Sequence, residues 1–177
     1  MGGFSRRESR DSLRAELVDV MFRRHYAALV RLAVVMTGDR EAAEDAVQDA
    51  FVSLHRNGRS LRDPDSAEAY LRSAVLNRCR SWVRRQATQR RKRPLLLVRD
   101  VSPHGPEDTT VVRDEVGSLV AAMRALPGRQ REVLACRFVL ELSVAETAEL
   151  LDISAGSVKT HTHRGLQAIQ QGIGVNR

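Results

Sequence analysis

Residues 143 to 166 read as two short helices around a tight turn, and they limit the possible folds more than any other stretch of the chain. Ser143 and Glu146 have the Ser-x-x-Glu spacing of a capping box, in which the hydroxyl takes an orphan amide at a helix start and the carboxylate reaches back. Val144, Thr147, Ala148 and Leu151 then recur at i, i+3, i+4 and i+7, so one side of that helix faces a core. Asp152 follows the last periodic residue, and Ser154 caps a second helix. Val158, Thr162, Gly165 and Leu166 give the second helix its inner side. Ser157, Lys159, Thr160, His161, His163 and Arg164 are left for its ends and outer side. Two helices crossing at such a turn place a polar, hydrogen-bonding face of this kind in the major groove of duplex DNA.

Charge points the same way. The 177 residues carry a formal net charge of +7, which suits a polyanionic partner. Residues 1 to 93 hold a net +8 and residues 94 to 177 a net −1, so the whole excess lies in the first half. Within it Arg78, Arg80, Arg84, Arg85, Arg90, Arg91, Lys92 and Arg93 follow one another with no acid between them. The first part of that run is helical in pattern, with Leu71, Ala74, Val75, Cys79, Trp82 and Val83 on an apolar side. Basic residues on a packed helix form a fixed phosphate-binding face. Gln86 to Arg93 is expected to fray.

The expected fold is all-α, with two small helical domains joined by a flexible linker. Residues 1 to 12 are expected to form a disordered polar tail. The first domain spans 13 to 93 and contains three helices. Leu13 to Thr37 turns Leu17, Met21, Leu29, Leu32, Ala33 and Met36 inward and is closed by Gly38. Asp39 to Arg56 turns Ala43, Ala46, Val47, Ala50, Phe51 and Leu54 inward, and the third helix runs from Ser66 to about Arg85. Pro94, Pro103, Gly105 and Pro106 make residues 94 to 113 a linker, able to reach about 65 to 70 Å when fully extended. That is nearly two duplex turns of roughly 34 to 36 Å each. The second domain, 114 to 172, holds helices at about Asp114–Leu126, Gly128–Leu140, Ser143–Leu151 and Ala155–Ile169. Leu119, Val120, Met123, Leu126, Val133, Leu134 and Phe138 supply its core.

Other classes of function find little support. The opening Met-Gly-Gly-Phe-Ser-Arg lacks the apolar core of a signal peptide, and no apolar run approaches the length of a membrane span. A cytoplasmic location with no membrane partner is expected. Cys79 and Cys136 are too far apart for a zinc motif and read as buried thiols in a reducing compartment. The acids are scattered over polar helical faces, and His161 and His163 point different ways on a helix. No catalytic residue, metal or cofactor is therefore expected.

Three segments, in order, carry a resemblance to a family. Ala43-Glu44-Asp45-Ala46-Val47-Gln48-Asp49-Ala50-Phe51 resembles region 2.2 of bacterial sigma-70-type RNA polymerase sigma factors. Ala69-Tyr70-Leu71-Arg72-Ser73-Ala74-Val75-Leu76-Asn77-Arg78, continuing to Arg85, resembles regions 2.3 and 2.4. Leu126-Pro127-Gly128-Arg129-Gln130-Arg131-Glu132-Val133-Leu134, with the helix-turn-helix, resembles region 4. The likeness runs from about Phe22 to Ile169 and is to the short extracytoplasmic-function class, which keeps only the domains called sigma-2 and sigma-4. Met36-Thr37-Gly38-Asp39 with Thr160-His161-Thr162-His163-Arg164-Gly165-Leu166 is most similar to the actinobacterial SigE-family subgroup.

The resemblance implies a factor that binds core RNA polymerase and directs promoter-specific initiation. Asp45, Gln48 and Asp49 would dock on the polymerase. Arg72, Asn77, Arg78, Arg80, Arg84 and Arg85 would meet the melted non-template strand of the minus-10 element. Ser157, Lys159, Thr160, His161, His163 and Arg164 would meet the minus-35 duplex, with Arg129, Arg131 and Arg137 on its phosphates. An anti-sigma partner is common in the class. The chain departs from the family pattern at His161, Thr162 and Asp152, where Arg, Leu and Gly are usual. The last 60 residues also resemble the LuxR-type regulatory helix-turn-helix through Gly156-Ser157-Val158-Lys159-Thr160-His161. That alternative, a regulator that binds promoter DNA without replacing sigma, leaves the acidic ridge and the basic helix unexplained.

Overall fold

Gly38 ends the first helix. It takes a φ of +70°, and its N–H donates to the Val34 carbonyl at 2.7 Å, an ending that a Cβ would penalise. Asp39 Oδ1 then accepts the Ala42 N–H at 3.0 Å and starts the next helix at once. Asp63 plays the same part ahead of the third, accepting the Ser66 N–H at 2.8 Å, with Pro64 at the first helical position, where no amide is needed.

The structure, a computed structural model, describes residues 3–57, 63–92 and 110–174, all helix and turn. Helices α1 (Gly3–Thr37), α2 (Arg40–Asn57) and α3 (Pro64–Lys92) pack on one another as a first unit. Met21, Leu29, Leu32, Val47, Leu54, Leu71, Val75 and Leu76 are fully buried there, each worth about 1.5 to 3 kcal/mol of apolar burial. The inward-facing residues expected of α1 and α2 from Met21 to Leu54 are all buried, and Leu17 packs at the edge. Two helices are longer than their apolar patterns. α1 begins at Gly3, inside the stretch read as a disordered tail, and α3 continues through Gln86 to Lys92. No proline or interior glycine interrupts either extension, and the arginines and glutamates in them are good helix formers.

The second unit comprises α4 (Thr110–Ala125), α5 (Gly128–Leu134), α6 (Val144–Leu151) and α7 (Ala155–Gly174). Residues 93–109 lie outside the described residues, and α4 begins at Thr110, so the last four residues of the linker expected over 94 to 113 are helical. The single helix expected over Gly128–Leu140 is broken. After Leu134 the backbone widens into a π-helical turn, Ala135–Val139, with the Leu140 N–H donating to the Ala135 carbonyl at 3.2 Å. The wider turn rotates the following residues about the axis. Phe138, expected in the core, is consequently 54% exposed, while Val133, Leu134, Ala135 and Cys136 are buried. Leu119 and Leu166, also expected inside, are exposed as well. The inner side of α7 is instead Val158, Gly165 and Ile169, and Gly165 sits so close to Leu134 that a Cβ would come within 2.8 Å of its Cδ1. The second unit rests on the first, with the π turn, α4 and α5 against α1 and with α6 against α3.

Candidate nucleic-acid interface

The helix-turn-helix is built as its sequence requires. Ser143 Oγ accepts the Glu146 N–H at 3.1 Å and Glu146 Oε2 accepts the Ser143 N–H at 2.8 Å, closing the capping box at the start of α6. These bonds hold the Glu146 carboxyl below its ordinary value of 4.5. Thr147 and Leu151 are buried beneath α6. Asp152 turns the chain at a φ of 53°, and Ser154 Oγ accepts the Ser157 N–H at 3.1 Å to cap α7.

On α7 the polar residues fall into two groups. Lys159, Thr160, His163 and Arg164 are exposed on the outer face, with Ser157 half-exposed at the helix start. The Thr160 hydroxyl donates to the Gly156 carbonyl at 3.0 Å, so toward a base edge it presents acceptor lone pairs. His161 is half-buried, with Nδ1 shut away from solvent, because it lies three residues after the buried Val158. Gln167 is exposed four residues beyond His163 and three beyond Arg164. The sequence reading passed over it, although its helical spacing puts it in the same rows and its amide suits adenine.

The arginines of α3 also separate. Arg84 and Arg85 are exposed, as is Asn77, whose Oδ1 accepts from Arg80 at 3.3 Å. Arg78 reaches back to α2, donating to Ser53 Oγ at 2.7 Å and to the Asp49 carbonyl at 3.1 Å. Arg72 pairs with Glu68 one turn earlier, and the same carboxylate lies 3.3 Å from His25 Nδ1. Burial pushes the His25 pKa down and Glu68 offsets this only in part. Arg80 crosses to the second unit. Its Nε and Nη2 donate to the two carboxylate oxygens of Glu132 at 2.7 and 3.0 Å, and these bonds raise its pKa.

The three arginines expected on minus-35 phosphates are committed internally. Arg129 donates to Glu132 at 2.9 Å, Arg131 to the Met36 and Leu126 carbonyls at 3.1 and 3.3 Å, and Arg137 to the Leu142 carbonyl. The Arg129 partner lies three residues on in the same helix, a pair that helical spacing offers, whereas the partners of Arg131 and Arg137 are carbonyls in turns and in the other unit, which helical spacing alone cannot reveal. Burial beside Arg124 lowers the Arg131 pKa.

Asp45, Gln48 and Asp49 are exposed together on the side of α2 opposite Ala43, Ala46, Val47 and Ala50. Beside that helix, Phe22, Tyr26 and Phe51 form an aromatic cluster with ring centroids 4.4 to 6.4 Å apart. Cys79 and Cys136 are free and buried, with thiol pKa values pushed up to about 12 by desolvation. No helix among the described residues is long and apolar enough to cross a membrane.

Comparison with known proteins gives these faces a context. Residues 21–89 match the family model described as Sigma-70 region 2, and residues 117–169 match Sigma-70, region 4. The ECF RNA polymerase sigma factor SigM of Mycobacterium tuberculosis is 32% identical over 146 residues, 82% of this chain and 71% of SigM. The RNA polymerase sigma-E factor of Streptomyces coelicolor is 29% identical over 81% of this chain and 78% of its own length. The fold is also that of the sigma factor RpoE of Bartonella quintana, solved in complex with the anti-sigma factor NepR. That structure matches with a TM-score of 0.73 at 19% identity, over 90% of this chain and 98% of RpoE. Two sigma-70 regions in their proper order, and a relative above 30% identity matched over most of both chains, establish that this protein belongs to the extracytoplasmic-function class of sigma-70 family RNA polymerase sigma factors.

Proposed function

We propose that the chain joins core RNA polymerase through Asp45, Gln48 and Asp49 and directs it to promoters that it reads with two hands. The first domain, 13 to 93, takes the minus-10 element. Arg84 and Arg85 hold phosphates of the melted non-template strand, Asn77 lies beside a base, and Arg72, Arg78 and Arg80 join them once freed from their internal partners. The second domain, 114 to 172, takes the minus-35 duplex with Ser157, Lys159, Thr160, His163 and Arg164 of α7, and His161 lines the edge of that face. Residues 94 to 109 link the two, with 110 to 113 joining α4. Arg129, Arg131 and Arg137 belong to the phosphate-facing end of the second domain and reach DNA once they exchange their internal partners for phosphates. The chain supplies promoter choice and performs no catalysis itself. It works in the cytoplasm, where the polymerase is.

The observation that carries the reading is that one chain exposes both an acidic ridge backed by a fully buried helix face and, on a separate unit, a capped helix-turn-helix with a polar outer row. A LuxR-type regulator needs only the second. The acids at i and i+4 of the ridge repel each other slightly; Arg78 Nε, 3.6 Å from Asp49 Oδ2, offsets this in part within the chain, and a basic partner surface offsets it further. Replacing both, Asp45→Ala with Asp49→Ala, is expected to weaken binding to purified core polymerase about tenfold, measured by fluorescence titration, with unchanged helix content. Unchanged core affinity would remove the ridge from the interface. An anti-sigma protein that covers the same faces is a partner of the kind NepR is for RpoE.

A further inference from the structure

A cavity of about 200 Å³ lies between α1 and α3 on one side and the end of the π turn on the other. Ala28, Leu29, Leu71, Val139 and Leu140 give it apolar walls. Its polar lining comes from His25, Arg31, Glu68, Arg72 and Glu141. A cavity of about 150 Å³ already holds a benzene-sized molecule, so this one has room for a small organic ligand.

These polar groups are unequally committed. Glu68 is shared between Arg72 and His25 Nδ1, the latter at 3.3 Å. Burial lowers the His25 pKa, so the ring is neutral at neutral pH, with its proton on the nitrogen that faces the Glu68 carboxylate. His25 Nε2 therefore presents a lone pair, and no protein group donates to it although it is buried. A buried acceptor of this kind is costly until a donor reaches it. Arg31 and Glu141 are exposed at the cavity, and among the described residues neither side chain is paired with another. Glu141 also holds left-handed backbone at a φ of 56°, where glycine would sit more easily, so its carboxylate stands at the cavity although the turn itself does not favour it.

We infer that this cavity binds a small zwitterionic α-amino acid with a short aliphatic side chain. Its carboxylate lies on the Arg31 guanidinium, its ammonium between the Glu141 carboxylate and His25 Nε2, and its side chain against Val139 and Leu140. All three uncommitted polar groups are then matched. A simple carboxylate would satisfy Arg31 alone and set a second negative charge beside Glu141, and a simple amine would leave Arg31 unmatched. None of the three anchors is a residue assigned above to DNA or polymerase. His25 and Arg31 belong to α1 and Glu141 follows the π turn, so the ligand bridges the two units and stabilises their packing by mass action.

The test titrates L-valine into the full chain without polymerase, by isothermal titration calorimetry and in thermal melts. Binding should saturate at one ligand per chain, and about 10 mM L-valine should raise the melting temperature by about 2 to 4 °C. Valinamide, which lacks the carboxylate, and isovalerate, which lacks the amine, should each bind at least about tenfold more weakly. Arg31→Gln and Glu141→Gly, both at exposed positions, should keep their helix content by circular dichroism and weaken L-valine binding about tenfold. Should either variant unfold, the two analogues on the unaltered chain decide the matter by themselves. No saturable binding of L-valine, L-leucine or L-alanine in the millimolar range would overturn the site, as would valine affinity unchanged in both folded variants. Isovalerate or valinamide binding as tightly as valine would overturn the amino-acid assignment.

Discussion

Glu141 and Asp152 occupy left-handed backbone, with φ of 56° and 53°, at the two ends of α6. A side chain there costs about 1 to 2 kcal/mol, less for the short aspartate that bonds locally. Glycine gives back part of the gain through its freer unfolded chain. Glu141→Gly is accordingly expected to stabilise the protein by about 0.5 to 1 kcal/mol, and Asp152→Gly by less, in urea unfolding. Between them the capping box is the opposite case. Ser143→Ala is expected to cost about 1 kcal/mol. The Glu146 carboxyl is held below 4.5 in the folded chain. Its contribution is thus complete above the unfolded value and lost as pH falls through the folded one. Thermal melts from pH 6 downward should show the unaltered protein losing stability relative to Glu146→Gln only below about 4.5. A constant gap would contradict the cap.

At the scale of elements, the legible parts were those whose signals are local. Ser143, Glu146 and Gly38 announced their helix ends, and the apolar spacing of α1 and α2 gave a core that is buried residue by residue from Met21 to Leu54. The π turn was not legible, because Ala135-Cys136-Arg137-Phe138-Val139 continues a helical apolar pattern, which does not report the packing on α1 or the Arg137 bond to the Leu142 carbonyl that accompany the widening. Its consequence can be measured. Leu134→Ala should cost about 2 to 5 kcal/mol, as core truncations do. Phe138→Ala should cost less than about 1 kcal/mol, since that ring is more than half exposed. Equal losses would place Phe138 back in the core. Arg78, Arg80 and Arg131 were read as free for DNA because their partners lie across turns or in another unit, and a charge run does not show whom each member will meet.

At the scale of the molecule, the charge asymmetry acquires a cause. The first unit carries the basic excess, much of it on the helix proposed to meet melted DNA, while the second, near neutral overall, presents the short polar row proposed to discriminate bases, with little charge to hold DNA alone. A chain built this way should be nearly silent by itself and active only on the polymerase. The most direct measurement is run-off transcription on promoter DNA, with core RNA polymerase, this protein, and each omitted in turn. The account predicts a promoter-specific transcript only when both are present, lost when either the minus-10 or the minus-35 element is replaced. Tight sequence-specific binding by the isolated chain, with no transcript and no association with core polymerase, would contradict it.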